Sequence, residues 1–121
     1  MILGRITLAV KTLVKLGKRE GVSFPVASRL FMLKKKLMPY YEMQAEQENV
    51  ILEASGAVNE NGEIDMTNIR SAFAKLQCSQ VDYDEPPIQI ELTADDYEKL
   101  GLTGEIMDIL DGFVEFMEVG V

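Results

Sequence analysis

The chain contains no histidine, no tryptophan and one cysteine, and each shortage closes off a kind of chemistry. Without histidine it lacks the commonest general base and the commonest metal ligand. The single thiol, Cys78, has no partner for an internal disulfide and cannot build a Cys/His zinc site, which fits a reducing cytoplasm. With no histidine to activate it, a nucleophilic role for Cys78 is not expected. Four tyrosines and five phenylalanines are left for any stacking role. No apolar run approaches the ~20 residues that cross a bilayer. The apolar opening is interrupted by Arg5 and Lys11, with no small-residue cleavage site behind it, so a secretory signal is not expected.

What the chain does have is charge sorted by sign. Residues 1–41 carry nine basic side chains against one acid, a net +8. Residues 42–121 carry three basic side chains against nineteen acids, a net −16. Such sorting speaks of association and partners more than of fold. A length of 121 residues with 47% hydrophobic residues is that of one folded domain, 1–121, with a modest core.

Periodicity makes the domain mainly α. Ile6, Ala9, Val10, Leu13, Val14 and Leu16 recur at helical spacing opposite Lys11, Lys15 and Lys18, predicting a first helix over 5–18. Ser23 and Pro25 suit the start of a second, over 25–54, striped by Val26, Leu30, Leu33, Leu37 and Tyr41. The two form an antiparallel hairpin. Pro39 lies inside the long helix, so a kink near 36–39 or a division into two helices is expected. Asn59-Glu60-Asn61-Gly62 is a strong turn signal, after which Asp65 can cap a helix to Cys78. Paired prolines, Pro86 and Pro87, keep the acidic stretch before them extended. Ile88 to Leu92 alternates and predicts a short strand, with the Val81/Tyr83 segment as its candidate partner, a β element near 81–92. Thr93, with Asp96 three residues on, opens a short helix in capping-box fashion, and Thr103 opens a last helix to about Met117. The predicted core is Leu13, Leu30, Leu33, Leu37, Ile69, Phe73, Leu76, Ile106, Leu110 and Phe113.

Several clusters can be weighed as sites. Asn59 to Asp65 has the outline of a calcium loop, but the first and twelfth ligand positions fall on Ala57 and Asn68, so a polar turn is the better reading and no metal is expected. A basic surface of Lys11, Lys15, Lys18, Arg19, Arg29, Lys34, Lys35 and Lys36 could track phosphates in a salt-sensitive way. Only Phe31, Tyr40 and Tyr41 are near enough to stack bases, and Tyr41 belongs to the apolar stripe. An acidic surface of Asp82, Asp84, Glu85, Glu91, Asp95, Asp96 and Glu98 could imitate a phosphodiester backbone, though acidic surfaces mostly serve solubility. Met1, Ile2, Leu3, Phe31, Met32 and Met38 fall outside the main stripes and leave apolar surface for contact with a second protein. No carboxylate pair is singled out, so no catalytic residue, cofactor or enzymatic activity is expected.

The order of these pieces resembles a family of small proteins of unknown function from tailed bacteriophages and prophages. The shared arrangement is the basic hairpin with Ser23-Phe24-Pro25-Val26, the Gly62-centred turn, Val81-Asp82-Tyr83, Ile88 to Leu92 and the Leu100-Gly101-Leu102-Thr103 helix start. The resemblance implies a gene product working in the host bacterial cytoplasm or in a phage particle, and assigns no site residues. The reading that follows is a non-enzymatic protein that binds itself or another phage or host protein, with a homo-oligomer among the expected states and no membrane. The alternatives are an acidic inhibitor of a host nucleic-acid enzyme and a nucleic-acid binder using the basic hairpin. The sorted charge has two accounts: the acidic part folds back on the basic hairpin, or two chains pack head to tail.

Overall fold

The computed structural model describes residues 1–55 and 66–119. It is mainly helical, with α1 (Leu3–Gly17), α2 (Phe24–Ser55), α3 (Met66–Gln77), α4 (Ala94–Leu100) and α5 (Gly104–Leu110), and with strands β1 (Ile88–Leu92) and β2 (Val114–Glu118). The calcium-like turn at 59–65, with Asp65, lies outside the described residues.

The apolar face of α1 is the spine of the core. Leu3, Ile6, Ala9, Val10, Leu13 and Leu16 are all buried, against α2 on one side and α3 and α5 on the other. The helix begins at Leu3, two residues before the periodicity requires, because its first turn is clipped to the strand-like segment after α3. The Leu3 amide donates to the Ser79 carbonyl at 2.8 Å, and the Val81 amide donates to the Met1 carbonyl at 2.9 Å. These bonds take up an orphan donor that the helix start leaves behind, with no side-chain cap at Ile2. Gly4 permits the approach: a Cβ there would sit 3.1 Å from the Gln77 carbonyl oxygen.

Helix α2 runs on as one element through Pro39, not as two. The proline is on the exposed face, where water can reach the Lys35 carbonyl that loses its amide partner. Val26, Leu30, Leu33 and Leu37 are buried. Tyr41, the expected fifth member of that stripe, is exposed; its neighbour Tyr40 is the one that packs inward. The Tyr40 hydroxyl donates to the Asp82 carbonyl at 3.1 Å. Its ring meets Tyr83 edge-on at 5.9 Å, and Tyr83 in turn lies 5.7 Å from Phe113. This ladder seats the extended segment before Pro86 and Pro87. Burial raises the Tyr83 phenol above its ordinary pKa, with the Glu85 carboxylate adding to the shift.

The strand at Ile88–Leu92 forms as expected, but with a different partner. Val81 is tied to Met1, so the 81–83 segment is not available to it. β1 instead pairs in parallel with β2, in the register Ile88 to Val114 through Leu92 to Glu118. The last helix accordingly stops at Leu110 and does not continue to Met117. Gly112 turns the chain with φ +86°, and Val114 to Glu118 is a strand with Val114 buried and Glu115 exposed. Helices α4 and α5 fill the crossover between the two parallel strands. Ile90, Leu92, Leu100, Leu102, Leu110 and Phe113 close the core from that side. Phe73, Leu76 and Ile106, expected in the core, are half-buried on the inner faces of α3 and α5.

Candidate docking surface

The first half of α2 turns its opposite face to solvent, and that face is not polar. Phe24 is 82% exposed, Phe31 55% and Met32 61%. They lie within two to three turns of one helix, three large apolar side chains together rather than scattered. Lys34 lies over the Phe31 ring, its ammonium 5.2 Å from the centroid. A groove of about 440 Å³ runs beside this ridge toward α1, floored by Leu13, Leu16 and Leu30 and rimmed by Arg19 and Lys34. A second, of about 460 Å³, lies on the other flank between Met32, Leu33 and Ile88, with Arg29, Lys35 and Lys36 at its edge. Both are apolar troughs with cationic margins.

The eight basic positions read from the sequence are thus divided. Arg29, Lys34, Lys35 and Lys36 border the α2 ridge, with Arg19 across the first groove. Lys11, Lys15 and Lys18 form an exposed stripe along α1 and its end. Arg29 donates to the Gln89 carbonyl at 3.2 Å, which ties α2 to β1. Among the described residues one ion pair joins the basic part to the acidic part, Lys36 with Glu85. The Glu85 carboxylate raises the Lys36 ammonium above its ordinary pKa. Residues 66–119 do pack back on the hairpin, through α3, α5 and β1, but by apolar contact rather than by charge, with that one such ion pair among the described residues.

The acidic positions are divided too. Asp82, Asp84 and Glu85 lie on the extended segment, Glu91 on β1, and Asp95 and Glu98 on α4, all exposed. Asp96 does not belong to an acidic surface: it is 3% exposed. The Thr93 hydroxyl oxygen accepts from its amide at 3.1 Å, the cap that the sequence predicts. Its carboxylate crosses to the turn before α2, where the Ser23 amide donates to Oδ1 and the Ser23 hydroxyl to Oδ2, both at 2.9 Å. The Ser23 amide above all, with the two hydroxyls, holds this carboxyl below the ordinary value of 3.8 against the opposing effect of burial. Asp96 is a pin between α4 and the hairpin, ionised at neutral pH.

Phe24 is the member of the ridge that periodicity misses. It sits in the connection before Pro25, outside any stripe, and an unassigned aromatic at a helix start was the available signal. Cys78 is exposed just beyond α3. Among the described residues no group of three or more His, Cys, Asp or Glu could hold a metal ion, and no helix is long and apolar enough to cross a membrane. Compared with protein-family models, curated proteins and solved structures, the chain matches none.

Proposed function

We propose that this is a non-enzymatic interaction protein of phage type, binding itself or another phage or host protein, in the host cytoplasm or in a phage particle. The observation that carries the reading is the uncovered Phe24, Phe31 and Met32 ridge between two apolar grooves with cationic rims. Aromatic and methionine side chains on a rigid helix are the usual anchors of protein interfaces. Leaving them in water is unfavourable by about 25 cal/mol for each Å² of apolar area, which a partner would recover. The phage origin is supported by the arrangement of pieces along the sequence.

The test is capture by the immobilised chain from lysates of infected and uninfected bacteria, compared with a Phe24→Ser/Phe31→Ser double variant. The wild type should hold a defined protein that the variant loses. A chain that captures nothing and stays monomeric at high concentration would sink the reading.

Nucleic-acid binding is a second reading, favoured by the Lys11, Lys15 and Lys18 stripe that the acidic part leaves uncovered. A shift of labelled DNA or RNA at moderate salt, abolished by reversing these lysines, would raise it above the first. The acidic-inhibitor reading is weaker, since Asp96 is inside the fold and Glu85 is paired.

A further inference from the structure

Continued along its whole length, the outward ridge of α2 is complementary to itself. Helical spacing puts Ser28, Met32, Lys35 and Pro39 on the ridge in the first half, and Glu42, Met43, Glu46, Val50 and Glu53 in the second, all but half-buried Ser28 exposed. On this strip the first half offers one cation, Lys35, beside Met32; the second offers Glu42, Glu46 and Glu53 beside Met43 and Val50. The change of sign falls between Lys36 and Glu42, at the middle of a helix that runs from Phe24 to Ser55. A division at the midpoint is what a two-fold antiparallel contact requires, because the axis must meet the helix where the two characters exchange.

We propose that a second copy of this chain docks on the ridge, α2 against α2, antiparallel, with the two-fold axis at Pro39. In that register Met32 faces Glu46, Ser28 faces Val50, and Lys35 comes within one helical turn of both Glu42 and Glu46 of the other copy. The two Pro39 rings meet on the axis, where neither helix has an amide to satisfy. This arrangement accounts for the sorted charge within α2: Lys35 of each chain meets the acids of its twin's second half, while the α1 lysines lie outside the contact.

The contact is a strip about 48 Å long and about 10 Å wide, at the small end of specific interfaces, so association belongs in the micromolar range. The inference rests on the interaction-protein reading above and names the partner. Sedimentation velocity of the full chain from about 1 to about 200 µM, at about 50 mM and about 500 mM salt, tests it. The wild type should dimerise at low salt and dissociate at high salt. Lys35→Glu and Glu46→Lys should each weaken the dimer about tenfold or more, because each sets like charges together at two symmetric places. The double variant Lys35→Glu/Glu46→Lys should restore it, and both positions are exposed, so circular dichroism should show all three variants folded.

A wild-type monomer at every concentration overturns the inference, including one that binds anionic vesicles or DNA through the same lysines. A dimer that the single reversals leave intact, or that the double reversal does not restore, overturns it too. Either result leaves the broader reading standing if the Phe31-dependent capture of a phage or host protein succeeds.

Discussion

In the first half of α2 the inward positions are Val26, Leu30, Leu33 and Leu37, all buried against α1 and β1. In the second half they are Gln44, Glu48 and Ile51, and of these Gln44 alone is buried. One helix therefore rests on two foundations. The first half belongs to the core; the second leans on α3, whose Ile69 is buried and whose Phe73 and Leu76 are half-covered. Gln44 donates from Nε2 to Glu48 at 2.9 Å, a contact along its own helix. Its buried Oε1 meets no donor among the described residues. Backbone geometry carries a helix well beyond its hydrophobic support, but stability does not travel with it.

The contrast is broken most severely at Leu37, fully buried at the junction of the two halves. Leu37→Ala should cost about 2–5 kcal/mol, the transfer loss plus the cavity left behind. Denaturant unfolding would measure it, with Gln47→Ala, at an exposed site of the second half outside the proposed contact, as the near-neutral comparison.

A smaller effect should follow from Asp96→Asn, which replaces a carboxylate that accepts from Ser23 with a group that carries donors of its own. A loss of about 2 kcal/mol is expected at neutral pH. The sign of the pH dependence follows from a folded pKa below 3.8. The folded state binds the proton more weakly than the unfolded, so Asp96 contributes fully above the ordinary carboxylate pKa. That contribution fades as pH falls through 3.8 toward the lower folded value. Melts of the two proteins should differ by a constant amount from pH 5 to 8, and the difference should begin to shrink only as pH falls below about 4.

The smallest effect sharpens the contrast instead of breaking it. Gln44→Leu removes the buried acceptor and extends the apolar stripe into the second half, and should stabilise by about 1 kcal/mol. Hydrogen exchange should show the gain confined to amides of the second half and α3. A loss of stability would mean that the Gln44 amide serves the fold in a way its contacts do not reveal.

What the sequence disclosed was mostly local. Helical spacing found α1 and α2, alternation found β1 with its boundaries, and Thr93 and Thr103 cap the helices they were expected to open. Pairing is not local, and the partner of β1 is not the nearby 81–83 segment that sequence proximity suggests. β1 and β2 are joined across 26 positions, and Ile106 to Phe113 keeps helical spacing past the point where Gly112 ends the helix. The alternation of Val114, Glu115 and Phe116 was the competing signal. Asp96 shows the same limit in chemistry: its spacing from Thr93 revealed the cap, but its second bond reaches a residue 73 positions away. For the docking surface, the basic rim and the stray Phe31 and Met32 were legible. That they stand beside one another in the open depends on how α1 and β1 flank α2.

The parallel pair β1 and β2 has one more consequence. Among the described residues the sheet has two strands; α2 covers part of the β1 edge, where Arg29 donates to the Gln89 carbonyl, and an edge left open can recruit strands from other chains. Here the approach is guarded: Pro86 and Pro87 precede β1 without amides to offer, and Glu91, Glu115 and Glu118 set negative charge along the ribbon. Acids that look like a display toward a partner also act as a fence, keeping a concentrated solution of this protein from growing fibres strand by strand.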